Sequence, residues 1–269
     1  MSDAGDRAFG QSISEVYARD LVPLMFAPYA DDLARRVPPT TKRLLEIAAG
    51  TGVVTRAIAR SAPAEVSIVA TDLNPAMLAE AQTQPIAKPV VWKQADALAL
   101  PFGDGEFDAV VCQFGVMFFP NRVRGFAEAR RVLRSGGTFL FNVWDRIEDN
   151  EFADEITNAL VAEHPSDPPL FMRRVPHGYF DVSLIARELA AAGFTATPTF
   201  ETVTLRGRGT DARTVALAFC QGTPMRNELE AHRIALDEAG DVATRAVEKR
   251  FGRGPVEGKL QAIVVSVQR

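Results

Sequence analysis

Four polar side chains stand at the ends of apolar runs, where a ligand carrying an adenosine could meet them. Glu46 lies inside "LLEIAAGTGVVT", two residues before a small-residue loop. Asp72 closes "EVSIVATD", Asp96 closes "PVVWKQAD", and Gln113 with Phe114 ends "FDAVVCQFG". A carboxylate inside an apolar run is costly to bury unless it is hydrogen-bonded. Glu46 is therefore expected to hold loop amides or to answer a cationic ligand. An acid in the position of Asp72 can accept both hydroxyls of a ribose. Asp96 is placed to accept from an exocyclic amine such as that of adenine, or else to cap its own loop.

The loop narrows the ligand. A triphosphate loop needs a Lys directly after its last glycine, and Val53 follows Gly52 instead. In the dinucleotide pattern G-x-G-x-x-G the sixth position is Thr55, and the third glycine that lets helix pack on strand is missing. An NAD(P)-dependent oxidoreductase is weakened without being abolished, and a small-residue turn with no ligand is the plainer alternative. Gly50, Thr51 and Gly52 remain the segment that lets something approach the backbone.

Groups able to move a proton are few, because the chain has only three histidines. His177, in "RRVPHGYFD", sits beside Tyr179 and before a helix. Both are candidates for the catalytic step, His177 as a base or a substrate contact; the alternative is an exposed loop histidine. His164 and His232 flank charged helical stretches and read as surface residues. Tyr17, Arg19, Phe26 and Tyr29 could fold over a ligand or simply pack a helix. "FGVMFFP", with Met117 and Phe118, could wall an apolar pocket or be core. Gln221 to Pro224 interrupts a helical stretch and reads as a turn of unassigned direction.

These residues need a scaffold, and the intervening chain supplies one. Strands are expected at "RLLEIA", "EVSIVATD", "PVVWKQAD", "FDAVVCQFG" and "TFLFNVW". Helices are expected over 53–60, over 74–82 with Asn74 as N-cap and Pro75 at the first position, and over 122–133, closed by "SGG". Nearly continuous apolar strands alternating with helices predict a parallel sheet covered on both faces. With right-handed crossovers this is a doubly wound α/β fold whose ligand lies outside the carboxyl ends of the strands.

Beyond Trp144 the pattern changes. A helix is expected over 152–163, then a Pro-rich loop, then a helix in "DVSLIARELAAAGF" capped by Asp181 and stopped at Gly193. Strands follow at "TFETVTLRG" and "KLQAIVVSVQR", separated by some forty residues of helical character over 210–251. Two late strands plus a helical N-terminal segment suggest a lid over the sheet's ligand edge.

Composition sets the outer limits. The chain has 269 residues, 47% hydrophobic, enough for an ample core. A net charge of −4 suggests no nucleic-acid partner. Cys112 and Cys220 lie far apart in apolar surroundings, with no disulfide framework or zinc spacing. The opening "MSDAGDRAFGQ" has no basic or apolar leader, and the most apolar windows are shorter than the ~20 residues a bilayer needs. A cytoplasmic protein without stable membrane insertion is expected.

The motifs resemble those of class I S-adenosylmethionine-dependent methyltransferases, most closely the small-molecule group that includes the ubiquinone/menaquinone-biosynthesis C-methyltransferases. "LLEIAAGTG" is similar to that family's first motif, "VATDLNPAML" to its second, and "KQADALALPFGDGEFDAVVCQFGVMFF" to its third and fourth. "ARRVLRSGGTFLF" matches the approach to the fifth strand, so the resemblance spans 43–144. Ala48 departs from the family, which has its first loop glycine there. Alanine fits only if φ stays negative, so slightly altered loop packing is expected, with binding retained.

The resemblance implies S-adenosyl-L-methionine as cofactor and transfer of its methyl group to a small-molecule acceptor at O, C or N. It implies that Glu46 organises the loop, that Ala48 and Gly50 admit the methionine part, and that Asp72 holds the ribose hydroxyls. Leu73 and Met77 would pack along the adenosine, Asp96 would take the adenine amine, and Ala97 would give a backbone contact. Gln113 and Phe114 would sit near the methionine end; plain core packing explains Leu73, Met77 and Phe114 equally well. It further implies a mostly parallel seven-stranded sheet of Rossmann-like methyltransferase form, with helical lid elements. The expected layout is one methyltransferase domain over 1–269: a lid segment over 1–40, a cofactor core over 41–146 and lid or acceptor insertions over 147–180 and 208–255. Segments 181–207 and 256–269 complete the sheet. The molecule is expected as a monomer or homodimer. A cofactor-binding regulator without catalysis is the remaining alternative.

Overall fold

Side chains alternate across the central strands, and both faces find cover. In β5 (Leu133–Trp144), Leu140 packs with Leu33 of α2 (Ala27–Arg35) and with Val54 and Ile58 of α3 (Val53–Ser61). Phe139 and Phe141, one residue to either side, face the other way. Both meet Phe126 of α5 (Arg122–Val132), and Phe139 stacks with Phe194 beyond α8 (Val182–Ala191). A fully buried Phe contributes about 1.5–3 kcal/mol by leaving water, so this cluster anchors α5 and α8 to the sheet.

The computed structural model describes residues 5–269, without the side chains of Asp6 and Gln11. Residues 1–4 of the expected lid segment and of "MSDAGDRAFGQ" lie outside the described residues. Among those described, seven strands form one sheet in the order β3-β2-β1-β4-β5-β7-β6. They are β1 (Arg43–Ile47), β2 (Ser67–Asp72), β3 (Val90–Gln94), β4 (Phe107–Gln113), β5, β6 (Thr199–Gly209) and β7 (Val256–Gln268). Neighbours from β3 to β5 are parallel. Against β5, β7 runs the other way: Gly137 meets Arg269 at one end, and Asp145 meets Gln261 at the other. The sheet is thus the mostly parallel, doubly wound α/β sheet expected. Strand order reverses at β1/β4, the switch point where such sheets bind ligands.

Boundaries differ from expectation where local chemistry competes. "SGG" predicts a stop after α5, but α5 ends at Val132 and 133–137 already belong to β5. A short helix, α7 (Phe171–Arg174), occupies the Pro-rich loop. The caps follow their residues: Asn74 accepts from Ala76 N–H to begin α4 (Pro75–Thr83), and Asp181 accepts from Ser183 N–H to begin α8.

The chain divides into two compact units. The first comprises the chain up to Pro28, Trp144–Tyr179 and Thr204–Ala262; the second comprises Tyr29–Val143, Phe180–Val203 and Ile263–Arg269. The second holds β1 to β4 with the loops that follow them. The first is largely helical, with α6 (Glu151–Glu163), α9 (Ala212–Gln221) and α10 (Met225–Ala231). It also holds α11 (Leu236–Phe251) and the N-terminal α1 (Gln11–Val16). After α1 the backbone widens to a π-helical stretch, Tyr17–Phe26. Pro23 lies within it and has no N–H to give, and the Ala27 N–H reaches back five residues to Val22. Among the described residues no helix is long and apolar enough to cross a membrane.

Candidate cofactor site

The loop after β1 owes its shape to three closely spaced departures from ordinary backbone. Ala48, Gly50 and Gly52 have φ of 53°, 54° and 76°. The sequence predicts a negative φ at Ala48, and the structure overturns that. The turn demands a left-handed residue, and alanine occupies the position at a steric cost of about 1–2 kcal/mol. A side chain on Gly50 would meet nothing within 4 Å, whereas one on Gly52 would strike the Trp92 ring at 2.6 Å. Gly50 thus opens the loop outward, and Gly52 lets it pack inward.

Neighbouring strands hold this turn in place. Ala49 N–H donates to the Thr71 carbonyl (2.9 Å) and Gly50 N–H to Asp72 Oδ2 (2.7 Å). Asp72 Oδ1 accepts from Asn74 N–H at 2.8 Å. The half-buried Asp72 carboxylate therefore spans two loops, and desolvation raises its pKa against those amide bonds. Arg56, on α3, donates to the Thr51 carbonyl at 2.7 Å.

Glu46 stands in mid-sheet, in register with Ala70 of β2 and Val111 of β4. It is 1% exposed and receives the Thr55 hydroxyl on Oε2 at 2.5 Å. Burial pushes its carboxyl up to about 8, with Thr55 and Arg56 pulling down and Asp72 pushing further up. Glu46 thus reaches the side chain of Thr55, and the loop amide at Gly50 goes to Asp72 instead.

The other candidates line the same unit unequally. Asp96 is exposed, with Oδ1 accepting from Leu98 N–H at 2.8 Å, as a loop-capping aspartate does. Leu73 is 51% exposed, an unusual position for a leucine, while Met77 is buried and Ala97 half-buried. Gln113 is buried at the end of β4, and Phe114 beyond it has φ of 49°. Asn142, opposite Gln113 on β5, accepts the Phe114 N–H on its side-chain oxygen at 2.9 Å. Sequence reasoning misses Asn142 inside "TFLFNVW"; an amide in an otherwise apolar strand is the available signal.

Among the buried polar atoms of this unit, Thr51 Oγ1 and Asn142 Nδ2 have no hydrogen-bond partner among the described residues. A hydroxyl in the loop and a carboxylate beyond it are a donor and an acceptor that an adenosyl amino acid would use, and the open face at Gly50 leaves room for it. The residues present fit S-adenosylmethionine.

Tyr29 and the aromatic wall turn out to be largely core. Tyr29 is fully buried, donates to the Val203 carbonyl (3.1 Å) and meets Phe114 edge-on. Met117 is buried and Phe118 half-buried in a turn, Val116–Phe118. Tyr17, His177 and Tyr179 belong to the first unit. Tyr17 stacks on Phe26, Phe26 meets Trp144, and Trp144 meets the His177 ring, with successive centroids 4.9, 5.9 and 6.0 Å apart. Tyr179 is buried. His177 is 2% exposed, which removes the alternative of a surface loop histidine. Arg19 is exposed and paired with Asp20. His164 and His232 are half-buried rather than on the surface, with His232 Nδ1 beside Asp167. The break at 221–224 turns its polar group back on itself: Thr223 donates to Phe219 and accepts from Met225.

The strand order, the switch-point loop and the acid on the next strand define the class I methyltransferase fold. Residues 45–141 match the family model for a methyltransferase domain. An uncharacterised protein of Mycobacterium tuberculosis is 43% identical over 97 residues, covering 35% of this chain and 34% of that one. A demethylmenaquinone methyltransferase of Thermus thermophilus is 42% identical over 110 residues, covering 40% and 49%. The chain thus spans about a third to a half of the length of these curated relatives. Among solved structures, a phosphoethanolamine N-methyltransferase of Haemonchus contortus in complex with S-adenosyl-L-methionine is similar in fold. Its TM-score is 0.57 and its identity 16%, over 96% of this chain and 56% of that one.

Proposed function

We propose that the whole protein is an enzyme that transfers the methyl group of S-adenosylmethionine to a small, partly apolar acceptor at O, C or N. One observation carries this reading: Asp72 on β2 accepts the Gly50 amide of the loop after β1 (2.7 Å), so acid and loop form one unit at the switch point.

The residues then divide the work. Gly50 and Ala48 admit the methionine part, Thr51 offers its hydroxyl, and Asp72 takes the ribose hydroxyls. Leu73 and Met77 flank the adenosine, Asp96 takes the adenine amine on the oxygen not used by Leu98, and Ala97 adds a backbone contact. Gln113 and Phe114 border the methionine end. Glu46, tied to Thr55, supports the loop from below. When bound, S-adenosylmethionine supplies an activated methyl group; the protein's share is to align the acceptor and exclude water. Asp72→Ala with S-adenosylhomocysteine titrated by calorimetry tests the reading, since affinity should fall while the fold persists.

A further inference from the structure

Two of the three non-glycine residues with positive φ among the described residues, Ala48 and Phe114, follow β1 and β4, the strands at the switch point. Left-handed backbone costs free energy at any residue with a Cβ, and it survives only where its surroundings impose it. For the loop after β1 the restraints come from β2, whose Thr71 and Asp72 hold the Ala49 and Gly50 amides. Phe114 is held by Asn142 of β5. Its N–H is shared between the Asn142 side-chain oxygen at 2.9 Å and the Asn142 carbonyl at 3.2 Å. Asn142 is fully buried, and its Nδ2 has no partner among the described residues. An amide that uses only its acceptor is an expensive guest in an apolar strand.

The next residue carries this restraint to the loop after β1. Gly115 has φ of −104°, which alanine tolerates, yet a Cβ there would stand 2.6 Å from the Ala48 Cβ and 2.7 Å from Cys112 Sγ. The Ala48 methyl thus lies directly against Gly115, and the two loops touch. β2 and β4 flank β1 on opposite sides. We propose that Asn142 is a positioning residue for the cofactor loop: by fixing Phe114 it keeps Gly115 against Ala48, bracing the loop from the side opposite Asp72. The brace stands on this geometry alone, and its effect on the cofactor rests on the methyl-transfer reading.

Amide hydrogen exchange of the full chain without ligand, followed residue by residue by NMR, tests the brace. Asn142→Leu removes the acceptor, and exchange at Ala49 and Gly50 should accelerate by about two- to tenfold, the worth of one neutral hydrogen bond. The acceleration should exceed that at Leu45 in mid-β1, which reports general destabilisation. Asn142→Asp can accept from Phe114 in either protonation state and should return both loop amides towards wild-type rates. Unchanged loop exchange in Asn142→Leu, acceleration no greater than at Leu45, or no rescue by Asn142→Asp overturns the proposal. Should Asn142→Leu fail to fold, Gly115→Ala disturbs the same contact from the β4 side; loop exchange should again accelerate, and unchanged rates are contrary. S-adenosylhomocysteine affinity, titrated by calorimetry, should weaken in Asn142→Leu by about two- to tenfold. Undiminished affinity alongside accelerated loop exchange overturns the proposed effect on the cofactor. No binding by the wild type, with loop exchange as expected, sinks the cofactor reading alone.

Discussion

The Thr55 hydroxyl donates to the buried carboxyl of Glu46, joining the first turn of α3 to the middle of β1 beneath the loop. This bond accounts for the one position at which the chain leaves the dinucleotide pattern. A glycine at 55 would leave a buried carboxyl without its hydroxyl partner.

Glu46 should make stability fall as pH rises. Folded, the carboxyl titrates at about 8; an unperturbed one titrates near 4.5. Between those values the native state keeps a proton that the unfolded chain has lost, so stability declines across that window, by on the order of 3–5 kcal/mol. Glu46→Gln can still accept from Thr55 and removes the titration. Urea unfolding should find it more stable than wild type at pH 8 and similar at pH 5. Parallel pH profiles for the two proteins would contradict this.

His177 acts in the opposite sense at lower pH. Its imidazole is held near 4 against a usual 6.5, so between those values the unfolded chain binds a proton the native state refuses. Stability is full above pH 6.5 and falls by about 3 kcal/mol towards pH 4. In His177→Gln the acid limb of the unfolding profile should flatten.

Ala48 should be improvable. At φ of 53° it bears a left-handed strain that glycine does not, although glycine also loosens the unfolded chain. The difference favours Ala48→Gly by about 0.5–1 kcal/mol, read as a higher urea midpoint at unchanged slope. A lower midpoint would mean that the alanine methyl contributes packing that the φ value conceals.

Tyr29 should matter for stability and leave the cofactor alone. Its hydroxyl serves the Val203 carbonyl from a fully buried position, so Tyr29→Phe should cost about 0.5–1.5 kcal/mol. Affinity for S-adenosylhomocysteine should be unchanged; a large loss would return Tyr29 to the site.

What can be read in the sequence is what local chemistry decides. Apolar runs of strand length place β1 to β4, and Asn74, Pro75 and Asp181 place helix starts through caps that act within three residues. What cannot be read depends on distant partners. The turn at Ala48 is held by bonds that the Ala49 and Gly50 amides donate to Thr71 and Asp72, and the burial of His177 by Trp144 and Asp145. The π-helical stretch hides behind an ordinary helical spacing, with Pro23 its one visible sign. Asn142 looks like a strand residue because its partner, the Phe114 amide, lies beyond the end of another strand.

Asp72 gives the sharpest single-residue readout of the site. Losing its charge-assisted bonds should weaken S-adenosylhomocysteine by about 1.5–3 kcal/mol in Asp72→Ala, with part of the loss recovered in Asp72→Asn. Unchanged affinity would remove it from the site.

The most direct measurement is calorimetric titration of the full chain with S-adenosylhomocysteine and, separately, with NADH. The account predicts saturable binding of S-adenosylhomocysteine with a Kd on the order of micromolar and none of NADH. Binding of NADH with no heat from S-adenosylhomocysteine would contradict it.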